Sequence, residues 1–183
     1  MSSDKCALLL VDIQNDFCEG GSLAVPQSDA IFPVVNEWIS KARNEGWAMI
    51  ASRDWHPVDH VSFVERGGPW PVHCVQDSEG AAFHPAMKLP SDAVRVSKGT
   101  AFDTDAYSAF DGTQLDSYLR RHGYESLYVA GLALDVCVRA SVMDAVQLGF
   151  DVNLIVDGTY AVDSDKASAV LDELTALGVS LQH

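Results

Sequence analysis

Four side chains able to do nucleophilic or acid–base chemistry sit just past apolar runs. Asp12 follows the run 6–11, Asp54 follows 47–52, Lys98 follows 93–97, and Cys137 lies a few positions beyond Gly131. A carboxylate, an ammonium and a thiol at one rim make a coherent nucleophile set. Each has a plainer reading alone: Asp12 as a turn residue bonding nearby backbone, Lys98 as a solvated loop lysine. Cys137 falls in the first turn of an expected helix, where unpaired N–H groups and the dipole favour a thiolate. A free cysteine is also commonly a small buried hydrophobe, and position does not decide between the two. Cys6 reads as core, Cys18 and Cys74 as loop packing.

A second constellation overlaps the first. Asp54-Trp55-His56 sets two hard ligands two residues apart, with His60 and His73 downstream. One carboxylate and two or three imidazoles can hold Zn²⁺, Mn²⁺ or Fe²⁺ with positions left open. A lone histidine is usually only a surface residue; several beside a strand-end aspartate point to a metal site. His84 reads as a spare ligand or a turn residue, His122 and His183 as peripheral.

These residues need a scaffold that brings them together. The pattern predicts strands at 6–11, 47–52, 93–97, 126–130 and 150–156, with a short last strand at 179–181. Helices are predicted at 30–45 (Asp29 as cap, Gly46 past the end), 113–122, 134–148 and 165–177 (Ser164 as cap). The strands are continuous apolar runs, as doubly buried strands should be. Alternating strands and helices then imply an α/β fold: a single-domain three-layer αβα sandwich over residues 1–183, with a mostly parallel six-stranded sheet. Ligands in such folds sit at the carboxyl ends of the strands, which is where the four side chains fall. The segment 55–92, rich in Pro, Gly and His, is too long for a passive connection and reads as functional.

Bulk composition narrows the partners. With 26 acidic and 12 basic residues among 183, the formal net charge is −14, which repels nucleic-acid phosphates and anionic membranes. No run is long and apolar enough to span a bilayer. Met1 to Lys5 lacks a positive region ahead of a long apolar stretch, so no signal peptide is read, and a cytoplasmic location is expected. A chain of this size needs no disulfides there.

The motifs resemble one family in order. Val11-Asp12-Ile13-Gln14-Asn15-Asp16-Phe17 with Gly20-Gly21-Ser22-Leu23 is similar to the opening of nicotinamidases, a branch of the isochorismatase-like cysteine hydrolases. Ser52-Arg53-Asp54-Trp55-His56 with Asp59-His60, and Trp70-Pro71-Val72-His73-Cys74-Val75, resemble their metal-binding segments. Lys98-Gly99, Asp105 to Phe110, and Gly131 to Val138 resemble the lysine, pocket and nucleophile segments. Arg53 stands where a Lys is more frequent, Leu134 where a Thr is frequent, and the loop 100–103 is its own variant; none is a catalytic position.

The resemblance implies an Asp12–Lys98–Cys137 triad and an oxyanion hole from the backbone N–H groups of Ala133 and Cys137, with a cis peptide at Leu132–Ala133. It implies metal ligands Asp54, His56 and His73, with His60 joining in some relatives, and Phe17, Trp70 and Tyr107 lining the ring pocket. The implied activity is hydrolysis of nicotinamide, or a close analogue, to nicotinic acid and ammonia through a cysteine thioester. That places the chain in NAD salvage. A divalent ion, Zn before Mn or Fe, would be the cofactor; relatives often form homo-oligomers. The alternative within the superfamily is another small amide or ureide hydrolase, whose members generally lack the metal cage.

Overall fold

The computed structural model describes residues 5–183, so the leader reading at Met1–Asp4 lies outside the described residues. The first strand, β1 (Cys6–Val11), shows why its sequence carries no alternation. Ala7, Leu9 and Val11 enter one core cluster and Leu8 and Leu10 the other, so both faces are covered. Around it lie β2 (Ala48–Asp54), β3 (Val94–Lys98), β4 (Ser126–Leu132), β5 (Asp151–Tyr160) and β6 (Ser180–Gln182). They form one six-stranded sheet, order β3-β2-β1-β4-β5-β6, parallel at every pairing.

One face is covered by α1 (Phe32–Glu45), through Val35, Trp38, Ile39 and Ala42, together with loop residues such as Phe17 and Val25. The other carries α2 (Leu115–Arg121), α3 (Arg139–Gln147) and α4 (Ala167–Ala176). The three-layer α/β sandwich expected from the sequence is therefore the architecture found. Strand order reverses between β1 and β4, the switch point beside which such sheets bind ligands. Asp12 leaves β1 there, and the loop carrying Cys137 leaves β4.

Several boundaries differ from the sequence pattern. Asp29 lies inside a 3₁₀ turn (Ser28–Ile31) that precedes α1 and caps nothing, whereas Gly46 does end α1 in the left-handed region. Asp163, not Ser164, caps the turn before α4, its carboxylate accepting the Asp165 N–H at 3.1 Å. Strand β5 continues to Tyr160 because its pairing with β4 shifts register, Val129 facing Leu154 but Gly131 facing Thr159. Cys6 is half-buried rather than core. Among the described residues, no helix is long and apolar enough to cross a membrane.

Candidate active site

The rim is built from strand ends in register. Asp54 and Lys98 are the last residues of β2 and β3 and face each other across the pairing. Asp12, just past β1, sits in the left-handed region (φ 50), a conformation Asp tolerates better than most residues. This kink turns the chain out of the sheet and the Asp12 side chain inward.

The three triad candidates meet in the interior. The Lys98 ammonium lies 2.8 Å from Asp12 Oδ2, 2.5 Å from Asp54 Oδ1 and 3.6 Å from Cys137 Sγ. Asp12, Lys98 and Cys137 are 0 %, 1 % and 6 % exposed, so these charges act with little screening by water. Ser52 Oγ donates to Asp12 Oδ1 at 2.8 Å. Burial, only partly offset by Lys98, raises the Asp12 carboxyl above its ordinary range. Burial also disfavours the Lys98 charge, but Asp12 and Asp54 overcome this and hold the ammonium well above the usual lysine value. Burial and the two carboxylates push the Cys137 thiol up against the pull of Lys98. These directions favour a thiol beside an ammonium, rather than the thiolate that a helix end alone would favour.

Asp54 joins this set to a second one. Its Oδ2 lies 3.5 Å from His56 Nε2 and 3.7 Å from His73 Nε2, all three residues being buried. Each imidazole uses its other nitrogen on a carbonyl: His56 Nδ1 donates to Gly99 O at 2.8 Å and His73 Nδ1 to Pro71 O at 2.7 Å. With each Nδ1 committed to a carbonyl, both Nε2 atoms face a carboxylate that Lys98 pulls well below its ordinary range, a donor set suited to a cation between them. Ligand atoms about 2.1 Å from a shared tetrahedral ion stand about 3.4 Å apart, close to the spacing found here. These residues therefore fit a divalent metal. The neighbouring trio Asp12, Asp54 and Cys137 also converges, but the Lys98 ammonium already lies among those atoms.

His60 is not part of the converging trio. Its Nδ1 accepts from Ser62 N–H at 3.2 Å and faces Ser62 Oγ at 2.7 Å, and its Nε2 donates to Thr104 O at 3.0 Å. The ring stacks on His56 at 4.0 Å instead. His84 lies outside this cluster, stacking on Phe32 near Cys18 and Asp29. Its Nδ1 accepts the Ala86 N–H at 3.1 Å, and burial together with Asp29 pushes the Cys18 thiol up to about 12.

A cavity opens onto Cys137. Phe17, Trp70, Tyr107 and Val162 wall it, Asp54, His56 and His73 form one end, and Ala133 and Cys137 line the floor. Trp70 Nε1 donates to Tyr107 Oη at 3.1 Å, which fixes two of the walls against each other. The nucleophile loop begins with a cis Leu132–Ala133 peptide. Cys137 lies in a wide π-type turn (Leu134–Val138) ahead of α3, not in the first turn of an α-helix, because Val138 N–H reaches back to Ala133 O.

Three supports escaped the sequence reading as site residues. Gln14, Asp16 and Ser52 bond Asp54, Cys74 and Asp12 respectively. The first two stood inside the motif at residues 11–17, where their types alone gave no role. Asp135 is a fourth: its carboxylate accepts Val162 N–H at 2.8 Å and Asp163 N–H at 3.0 Å, tying a cavity wall to the nucleophile loop.

Known proteins share this fold. The Isochorismatase domain family model matches residues 6–182. The chain is 44 % identical to the nicotinamidase of Escherichia coli, over 96 % of this chain and 93 % of that protein. It superimposes on the pyrazinamidase of Pyrococcus horikoshii in complex with zinc with a TM-score of 0.95 at 45 % identity, covering 98 % and 99 % of the two chains. An L. infantum protein in complex with nicotinate gives 0.90 at 38 % identity, covering 100 % and 94 %.

Proposed function

The chain belongs to the isochorismatase family, and from that premise we propose that it hydrolyses nicotinamide to nicotinic acid and ammonia. The observation that carries the reading is the position of Lys98, 2.8 Å from Asp12 and 3.6 Å from Cys137 at the floor of an aromatic-walled cavity. That arrangement suits attack on a small planar carboxamide. The relatives named nicotinamidase and pyrazinamidase, and the nicotinate bound to the L. infantum protein, support the substrate class.

In this mechanism Asp12 takes the Cys137 proton as sulfur attacks the amide carbon, so the thiolate exists only as the bond forms. The backbone N–H groups of Ala133 and Cys137 receive the developing oxyanion. Asp12 then passes the proton to the departing nitrogen, the C–N bond breaks, and ammonia leaves a thioester on sulfur. Asp12 next takes a proton from water; the hydroxyl oxygen adds to the thioester, the C–S bond breaks, and the proton returns to sulfur as the acid is released. Phe17, Trp70 and Tyr107 hold the ring and exclude bulk water.

Asp54, His56 and His73 would hold a divalent cation, zinc by preference over manganese or iron, and when bound it supplies a Lewis-acid docking point for the pyridine nitrogen. The zinc complex of the P. horikoshii relative supports that choice. The activity would return nicotinic acid to pyridine nucleotide synthesis, as an NAD-salvage step in the cytoplasm. The test is direct: supply nicotinamide and measure ammonia and nicotinic acid, with and without a chelator and a thiol alkylator. Stoichiometric formation of both products, lost on alkylation, is expected. No ammonia from nicotinamide, with release from another amide or ureide, would transfer the chain to a different substrate within its superfamily.

A further inference from the structure

Strand β1 stops pairing with β2 at Val11–Ser52, because Asp12 turns into the left-handed region. Asp54, two residues further along β2, therefore has no β1 backbone beside it. The side chain of Gln14 takes that place. Its Oε1 accepts the Asp54 N–H at 2.8 Å and its Nε2 donates to Asp54 O at 2.8 Å, so the carboxamide acts as a surrogate peptide that adds one rung to the sheet. The second Nε2 hydrogen reaches Ala81 O at 2.9 Å, in the long segment that follows His73. Gln14 is 0 % exposed, and both its donor hydrogens are used.

Asp16 acts on the same segment. Its Oδ2 accepts the Cys74 N–H at 2.7 Å, Cys74 being the residue after His73 and itself in the left-handed region (φ 48). Gly80 packs so closely on this carboxylate that a Cβ there would overlap it. The short turn after β1 thus grips the main chain both at Asp54 and at Cys74, next to His73.

We propose that Gln14 and Asp16 are positioning residues for the cation site, fixing the backbone from which Asp54 and His73 present their ligand atoms. This rests on the reading that Asp54, His56 and His73 hold a divalent ion. Outer groups that orient metal ligands typically carry about 10–100-fold in metal affinity, and an effect of that size is expected here.

The experiment titrates Zn²⁺ into metal-stripped full-length protein in competition with a chromophoric chelator, with folding followed by circular dichroism. Wild type should take up one equivalent. Gln14→Met, similar in length but without polar atoms, should fold and bind zinc about 10–100-fold more weakly. Asp16→Leu should weaken zinc likewise, whereas Asp16→Asn, which keeps an acceptor for the Cys74 N–H, should restore near wild-type affinity. A merely structural role would lower the melting temperatures without separating the Leu and Asn variants in zinc affinity. Zinc bound equally well by folded Gln14→Met and wild type overturns the proposal. If Gln14→Met does not fold, Gln14→Glu decides the matter. It keeps the acceptor but turns a carboxylate oxygen onto two carbonyls, so unchanged affinity again overturns the proposal. A wild-type chain that binds no zinc would sink the underlying cation reading and this proposal with it, and the wild-type arm identifies that case.

Discussion

Replacing Lys98 by Met removes the ammonium while keeping an unbranched side chain of similar length. At an effective dielectric near 20, the gross attraction of Lys98 is about 6 kcal/mol for a charge on Asp12 at 2.8 Å and about 4.6 kcal/mol for one on sulfur at 3.6 Å. Lys98 thus favours the charge on Asp12 over sulfur by about 1.3 kcal/mol. In the proposed mechanism its part is therefore to favour an ionised Asp12 rather than a resting thiolate. Without that attraction nothing of comparable size offsets burial, so the Asp12 carboxyl should rise further above its ordinary range. In Lys98→Met, Asp12 should therefore favour its protonated form, which cannot take up the thiol proton. Removing a general base costs about 10²–10⁴-fold, which is the expected fall in kcat/KM for ammonia release. Iodoacetamide should alkylate Cys137 correspondingly more slowly. Breaking a buried ion pair also destabilises by about 3–5 kcal/mol, so circular dichroism must establish that the variant is folded. A folded Lys98→Met enzyme within tenfold of wild type in kcat/KM would rule out Lys98 as the group that keeps Asp12 ionised.

Other perturbations probe the same site. Asp12 works as a base only when ionised, and its pKa is raised, so kcat/KM should fall on acidification through a limb above the ordinary carboxylate value of about 3.9; a pH–rate profile with its acid limb at or below that value contradicts the assignment. Gly99→Ala would set a Cβ onto the His56 ring, 2.7 Å from Nδ1, at a backbone φ of +61° that disfavours alanine. Zinc competition titration should show its affinity reduced at least about tenfold. Trp70→Phe deletes the hydrogen bond to Tyr107, and steady-state kinetics should show KM raised by about 2–10-fold with kcat little changed.

Much of this site was legible in the residues because their positions obey one rule, that chemistry gathers at the carboxyl ends of parallel strands. Asp12, Lys98 and Cys137 could be found that way, and the apolar run of β1 announced a strand covered on both faces. Pattern reading failed where long-range bonds override local preference. The tail of β5 carries Asp157 and Gly158, which look like a turn, yet its last residues pair with Gly131 and Leu132 after a register shift. The wide turn at Leu134–Val138 repeats neither the strand nor the helix period. Asp29 has a capping side chain but meets no N–H to cap, while Asp163 does. His60 has the right type and spacing for a ligand, but Ser62 and Thr104 engage both its ring nitrogens. Gln14 went unread because an amide that substitutes for a missing strand is recognisable only once the partner strand is seen to end.

The reaction follows the proposed course only if sulfur, rather than a metal-bound water, attacks the amide. Cys137→Ala, loaded with zinc to the wild-type content by elemental analysis and given nicotinamide, tests this most directly. No ammonia release above the buffer blank, with zinc content and fold unchanged, is the predicted result. Turnover comparable to wild type in that zinc-loaded variant would contradict the nucleophile assignment and hand the reaction to the cation.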